Sequence, residues 1–149
     1  MLGCITPKKI DTGTEFKQTY RWQRAVVPAA LSFVAGACYG VHETVVHHPD
    51  RIPAGWNRQW WDNRLSWRNK YKNGDPTQGP AWFGAEYFTF GQDAKHTFAT
   101  GYKYHTLGAG IAIGIGRRRP ALHYLYDIGI SVAISAIGFH STYSILFRQ

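Results

Sequence analysis

The sequence has few cysteines and few acidic residues. Two cysteines occur among 149 residues. Cys4 and Cys38 are too few for a disulfide framework and lack metal-ligand spacing, so we interpret both as free thiols. The 9 acidic residues are outnumbered by 17 Lys and Arg, which gives a formal net charge of +8. A disulfide-stapled scaffold is thus excluded, and the charge balance favours an anionic partner such as lipid headgroups or nucleic acid.

Charged residues are missing from three segments of the chain. The mean hydropathy of −0.31 alone favours a soluble basic protein. However, no Asp, Glu, Lys or Arg occurs in Ala25–Val41, Tyr104–Gly116 or Ile128–Phe147. Uncharged runs joined by polar segments are typical of membrane proteins. We therefore predict an all-α, multi-pass membrane protein with about three transmembrane helices and one interfacial amphipathic helix.

A single membrane domain is expected at this length. Span 2 would be about 40 Å long at about 1.5 Å per residue, with its first half at the interface or lining a polar crevice. The predicted divisions are a polar basic arm (1–23), span 1 (25–46), a polar interfacial segment (49–83), span 2 (88–116) and span 3 (121–147).

Small residues recur at helical spacing in two of the predicted spans. Ser32, Gly36 and Gly40 repeat every four residues in span 1, and Gly110 and Gly114 show the same spacing in span 2. Glycines four apart are the close-packing motif of membrane helices. We predict that all five residues lie at helix–helix contacts. The alternative for span 1 is a core helix of a soluble protein, in which each Gly would cost about 1 kcal/mol.

The polar centre contains a tract in which aromatic rings alternate with cations. It reads WWDNRLSWRNKYKNGDP over residues 60–76. As one helix over about residues 58–71, it would place its rings on one face and its cations towards the flank. Rings at headgroup depth with cations near phosphates are typical of a membrane interface. The interface residues predicted on this basis are Trp60, Trp61, Arg64, Trp67, Arg68, Tyr71 and Lys72.

Part of this tract resembles a known group of proteins. The run LSWRNKYKNGDP at 65–76, followed by QGPAWFG at 78–84, is similar to a segment of small uncharacterised integral membrane proteins of Bacteroidetes bacteria and their bacteriophages. In that family the tract leads into an apolar segment with an Asp-x-x-His pair, which Asp93 and His96 match. The resemblance implies a protein of a bacterial envelope or of the internal membrane of a phage particle. It implies no established activity.

Asp93 and His96 are also the best candidates for chemistry. They are three residues apart and would share one helix face, close enough to pair. In a catalytic interpretation His96 is the acid or base and Asp93 orients it. In the alternative the pair is purely structural.

A histidine cluster at the end of span 1 is a second candidate. Its members His42, His47 and His48 lie beside Glu43 and could bind a metal. Imidazoles at a helix end also hydrogen-bond carbonyls or lipid phosphate, and we predict this role and no metal.

The predicted function is a non-enzymatic scaffold or assembly component that packs through its Gly-rich helices. Its expected partners are the lipid bilayer and either further copies of itself or a larger membrane assembly, with no cofactor and no nucleic acid. The alternative is a small membrane-embedded enzyme that uses the Asp/His pair, with or without a His-bound metal. Soluble nucleic-acid binding by the aromatic tract would leave three charge-free segments unexplained.

Asp127, at the start of span 3, is expected to pair with one of the arginines just before it.

Overall fold

The computed structural model describes residues 19–148, so most of the predicted arm over 1–23 lies outside them. The regular elements of the described chain are helical, apart from one antiparallel bridge between Tyr71 and Pro80. This confirms the predicted all-α class. The α-helices are α1 (Val26–His47), α2 (Arg58–Trp61), α3 (Asn63–Ser66), α4 (Ala94–Gly114) and α5 (Ala121–His140).

Shorter turns extend or connect these helices. A π-helical segment, Ser141–Leu146, continues α5. The 3-10 turns are Trp22–Ala25, Pro49–Arg51, Trp67–Lys70, Lys72–Gly74 and Pro76–Gln78.

Two continuous helical segments, Trp22–His47 and Ala121–Leu146, are long and apolar enough to cross a membrane, with hydropathies of 1.5 and 1.4. They coincide with predicted spans 1 and 3. Helix α4, which corresponds to span 2, is not among these candidates. Lys95 and Lys103 make its composition less apolar than that of the other two long helices.

Helix α1 is the central helix of the bundle and packs against both α4 and α5. Near the start of α5, Tyr20 bonds to Asp127, whereas near its end Thr142 bonds to the carbonyl of Ala37. The two helices therefore run parallel. Helix α4 runs antiparallel to α1, because Gly101 lies against Cys38 and Gly108 lies against Leu31.

Helix α4 begins at Ala94, not at residue 88 as the sequence pattern predicts. The Asp93 carboxylate accepts a hydrogen bond from the backbone N–H of His96 at 2.7 Å, which caps the first turn. Gly91, just before the cap, has a φ of +82°, a conformation that a helix cannot contain. The side chain of Gln92 donates to the carbonyl of Phe88 at 3.0 Å and so stabilises the preceding turn. The aromatic stretch before Gly91 is therefore a loop.

The aromatic tract is not one helix, and the prediction of a single surface helix over 58–71 is wrong. Asp62 has extended backbone angles (φ −88°, ψ 110°) and separates α2 from α3. Its carboxylate accepts from the backbone N–H of Arg64 at 3.0 Å, so it caps α3. Farther on, Asn73 has a φ of 51° and turns the chain back.

The tract folds against one end of the bundle. The buried cluster there consists of Val41, Val45, Ala94 and Phe147. Partly buried aromatic rings pack on it, and these come from the tract, from the segment just before it and from α4. They are Trp56, Trp60, Trp61 and Phe98. Phe147 is 1% exposed, so the residue just after the π-helical segment anchors the polar centre to the helices.

Candidate functional site

Glycines bring the backbones of α1 and α5 into direct contact. A Cβ built on Gly36 would overlap the carbonyl of Ser135 and lie 3.0 Å from the backbone nitrogen of Phe139. A Cβ on Gly40 would lie 2.7 Å from the carbonyl oxygen of Phe139. A real Cβ does not approach backbone atoms this closely, so both positions require glycine at this helix separation.

The five predicted packing residues have two different environments. Ser32, Gly36 and Gly40 are buried on α1. Around Gly110 and Gly114, in contrast, no described atom lies within 4 Å of an added Cβ. Both glycines are exposed, and Gly110 also borders a groove that residues of α1 and α5 line. Their predicted role in helix packing stays a prediction.

A packing glycine of α5 was missing from the prediction. A Cβ on Gly138 would overlap the carbonyl of Phe33, so Gly138 is the counterpart of Gly36 across the contact. The available signal was the occurrence of Ser131, Ser135 and Gly138 at spacings of three and four in span 3.

A buried ion pair lies at the opposite end of the bundle from the aromatic cluster. Arg119 Nη1 lies 2.5 Å from Asp127 Oδ2. The side chain of Arg119 is 3% exposed and that of Asp127 is 0% exposed. The pairing predicted for Asp127 is therefore confirmed, and Arg119 is the partner. Arg119 also donates to the carbonyl of Ile113 at 2.6 Å near the end of α4. One side chain thus connects α4 to α5.

Tyr20 completes this polar cluster from the segment before α1. Its hydroxyl donates to the Asp127 carboxylate at 2.6 Å. Partial burial raises the pKa of Tyr20 to about 12, and the hydrogen bond to Asp127 acts in the same direction. Tyr20 therefore stays a neutral donor at physiological pH, and all three long helices are connected through Asp127 and its partners.

Asp93 and His96 lie in contact, as their spacing predicts. The ring nitrogen Nδ1 of His96 is 2.8 Å and 2.9 Å from the two carboxylate oxygens of Asp93. The Asp93 side chain is 6% exposed, whereas that of His96 is 44% exposed. A buried carboxylate that orients an accessible imidazole suits acid–base chemistry. The same carboxylate also caps α4, so the geometry serves a structural role equally well.

The histidine cluster at the end of α1 is centred on Glu43. The Glu43 carboxylate lies 3.6 Å from a ring nitrogen of His42 and 3.6 Å from one of His47. His48 instead meets the ring of Tyr143 edge-on at 5.7 Å. Within residues 19–148, no group of three or more His, Cys, Asp or Glu side chains is placed to hold a metal ion. The three histidines that were the alternative metal ligands are therefore not brought together as one site.

The predicted interface residues of the tract separate into an inward and an outward set. Trp61 stacks on Phe98 with ring centroids 5.8 Å apart, and Trp60 meets Trp61 edge-on at 4.8 Å. In the outward set, Trp67 is 45% exposed and Arg68 lies over its ring. Arg64 and Lys72 are exposed as well, and Tyr71 is half-buried.

Asp62 holds the turn between α2 and α3 electrostatically. Arg64 Nε donates to its carboxylate at 3.0 Å, and Arg58 donates at 3.4 Å. The hydrogen bond from Arg64 lowers the pKa of Asp62, and the same interaction raises the pKa of Arg64. Arg64, one of the three cations predicted to face phosphates, thus has a carboxylate partner within the chain.

The most exposed aromatic rings belong to the loop before α4, over residues 82–90. We call it the aromatic loop. The side chain of Phe83 is 100% exposed and that of Tyr87 is 85% exposed. Phe88 and Phe90 are also mostly exposed. The sequence signal was the density of aromatic residues there, which the prediction divided between the end of the polar segment at residue 83 and the start of span 2 at residue 88.

The chain matches no family model, no curated protein and no solved structure. The arrangement of the described residues therefore defines only a coarse class, an all-helical chain with two helices apolar enough to span a membrane. Its function has to be argued from the helix surfaces and the two polar ends.

Proposed function

We propose that the protein is an integral membrane protein, and the outward apolar surface of its long helices carries this proposal. In Ala121–Leu146, only 17% of the most apolar stretch is buried. The corresponding share in Trp22–His47 is 39%. A core helix of a soluble protein would be mostly buried. The exposed side chains include Val27, Phe33, Leu107, Ile111, Leu125, Val132, Ile137 and Ile145. Such a surface is unfavourable in water and favourable in lipid.

The parallel packing of α1 and α5 supports three membrane crossings. Two helices of one chain can cross in the same direction only if the chain returns between them. Helix α4 is antiparallel to α1 and packs along it, so it is the element suited to the return. Its 21 residues would extend about 30 Å, which equals the thickness of a bilayer core. Lys95 then lies in the first turn of α4, at the interface. Lys103 lies near the middle of the helix and lines a crevice beside the aromatic loop, the kind of surrounding that a cation inside a membrane helix requires.

Interfacial anchoring is assigned mainly to the aromatic loop. Its rings are outward and lie next to the start of α4, where a membrane interface would be. Trp and Tyr rings favour headgroup depth. Trp67 and Arg68 of the tract are also outward and can contribute, whereas Trp60 and Trp61 stabilise the fold from inside.

The proposed role is a non-catalytic scaffold that assembles within the membrane. Gly110 and Gly114 support this role, because they leave an exposed strip of bare backbone on α4. Glycines at this spacing suit close approach by a helix of a second copy. The resemblance of the tract extends the proposal to a bacterial envelope or to the internal membrane of a phage particle.

Membrane fractionation tests the proposal. Carbonate extraction is expected to leave the protein in the pellet, and detergent is expected to release it. In detergent, Gly114→Leu is expected to reduce chemical crosslinking between copies, while Val27→Leu on the outward face of α1 leaves it unchanged. Release by carbonate of a monodisperse protein would contradict the proposal.

A small membrane enzyme is the second candidate, and the contact between Asp93 and His96 favours it. The substitution Asp93→Asn separates the two roles of the pair. Asn retains a side-chain oxygen that can cap α4, so a structural role predicts a folded, functional variant. A catalytic role predicts a folded variant that has lost an activity of the wild type, and stoichiometric metal in the purified protein would also support the enzyme.

A further inference from the structure

A basic cleft opens at the end of the bundle where α1 and α5 begin. It has a volume of about 520 Å³ and is lined in part by Arg21, Arg24, Arg117, Arg118 and His123. No carboxylate is among the described residues that line it. Two chain segments far apart in sequence thus direct their cations towards one concave space.

The arginines of this cleft differ in whether they have a partner. Arg119 also lines the cleft but is held by Asp127, by the carbonyl of Ile113 and by the ring of Tyr124, 4.3 Å away. This anchoring fixes the short segment that carries Arg117 and Arg118. The other four arginines of the cleft form no ion pair with any residue in 19–148. They are Arg21, Arg24, Arg117 and Arg118. Among the described residues, no carboxylate neutralises their charge.

Backbone donors at the start of α5 add to the positive potential. Pro120 is the N-cap of this 20-residue helix, and no side chain caps it. The backbone N–H of His123 already donates to the carbonyl of Pro120 at 3.0 Å. The helix dipole still places partial positive charge at this end. A phosphate group is the ligand that such an end accepts best, and arginine binds phosphate in a bidentate manner.

We infer that this cleft binds the phosphate of an anionic phospholipid headgroup. The inference rests on the proposed function, because only a membrane-spanning bundle places the start of α1 and α5 at headgroup depth. Basic pockets between membrane helices are suited to anionic headgroups. A lipid bound here would contact the segments that precede α1 and α5 and strengthen the contact between these two helices.

The test uses the full chain in neutral detergent, with phosphatidylglycerol, phosphatidylcholine or inorganic phosphate added. Native mass spectrometry counts retained lipid, and thermal unfolding reports stabilisation. Phosphatidylglycerol is expected to be retained and to raise the Tm, while phosphatidylcholine is not. The variant Arg117→Gln/Arg118→Gln is expected to bind phosphatidylglycerol roughly thirtyfold more weakly, because it removes two cations.

Arg51→Gln/Arg148→Gln is the matched control, since it removes two cations from the other end of the bundle that have no assigned role in interfacial anchoring. It is expected to retain lipid as the wild type does. Equal loss in both variants would overturn the inference in favour of non-specific charge. Stabilisation by inorganic phosphate equal to that by the lipid would assign the cleft to a soluble anion and overturn the lipid assignment. Carbonate extraction distinguishes failure of this inference from failure of the proposed function. A protein that stays in the membrane pellet but shows no preference for phosphatidylglycerol contradicts the lipid-binding cleft and leaves the membrane assignment intact.

Discussion

Gly36 sets the separation between α1 and α5, because any side chain there would meet the Ser135 carbonyl. We predict that Gly36→Leu forces the two helices apart and destabilises the fold by about 1–3 kcal/mol or more. Thermal unfolding in detergent measures this effect. Val34→Leu is the control, because Val34 is 39% exposed. Equal Tm values for the two variants would show that the glycine contact does not hold the bundle.

Asp62 predicts a pH dependence for the turn between α2 and α3. Its folded pKa is lowered, chiefly by the hydrogen bond from Arg64. The pair therefore stabilises the turn fully above the unfolded pKa of about 4, and this contribution is lost as the pH falls below it through the folded value. Since Arg64 is largely exposed, we expect an effect below about 1 kcal/mol.

The measurement is tryptophan emission from pH 7 to pH 3. The wild type is expected to show a small change in emission with acid, as the turn between α2 and α3 loosens, and Asp62→Asn is expected to show a smaller dependence. An identical acid transition in both proteins would exclude Asp62 as its source.

Residue spacing gave part of the site. Asp93 and His96 are three apart, and their contact is local because Asp93 is the N-cap of the helix that carries His96. The small-residue face of α1 also follows from spacing. Spacing could not select Arg119 from the three neighbouring arginines as the partner of Asp127. That choice depends on where α4 ends, since Arg119 also bonds to Ile113. Residue spacing also did not identify the partner of Gly110 and Gly114, because a glycine strip does not specify which helix covers it.

At the scale of elements, the aromatic tract shows where periodicity fails. Its rings fit one face of a single helix, yet Asp62 interrupts the helix and turns Trp60 and Trp61 towards Phe98 and Phe147. These partners come from distant segments, so a local pattern cannot reveal them. The cap at Asp62 and the loop before Asp93 both follow from side-chain hydrogen bonds that compete with helix continuation.

Phe147 should hold the tract to the bundle. We predict that Phe147→Ala destabilises this end by about 3–5 kcal/mol, because it leaves a cavity next to Trp56 and Trp61. Red-shifted tryptophan emission and faster proteolysis between α2 and α4 are the expected readouts. Phe83→Ala is the control. The ring of Phe83 is fully exposed, so its removal is expected to leave the free energy of unfolding unchanged. A similar stability of the two variants would contradict the anchoring role.

At the scale of the whole molecule, the charge-free runs predicted α1 and α5 closely, because length and composition determine which segments suit a membrane. The number of crossings is less accessible to sequence. Helix α4 carries Lys95 and Lys103 and is not apolar enough to be selected by composition. Its proposed crossing depends on the direction of its neighbours, which is a tertiary property.

Topology mapping by cysteine labelling tests the central claim most directly. Cys4 and Cys38 are replaced by Ser, and Asn73→Cys or Arg118→Cys is introduced singly. Intact and opened membrane vesicles are then treated with an impermeant maleimide. If α1, α4 and α5 all cross the membrane, positions 73 and 118 lie on opposite sides, and only one of them is labelled in intact vesicles. Labelling of both from the same side would leave α4 outside the membrane and contradict the account.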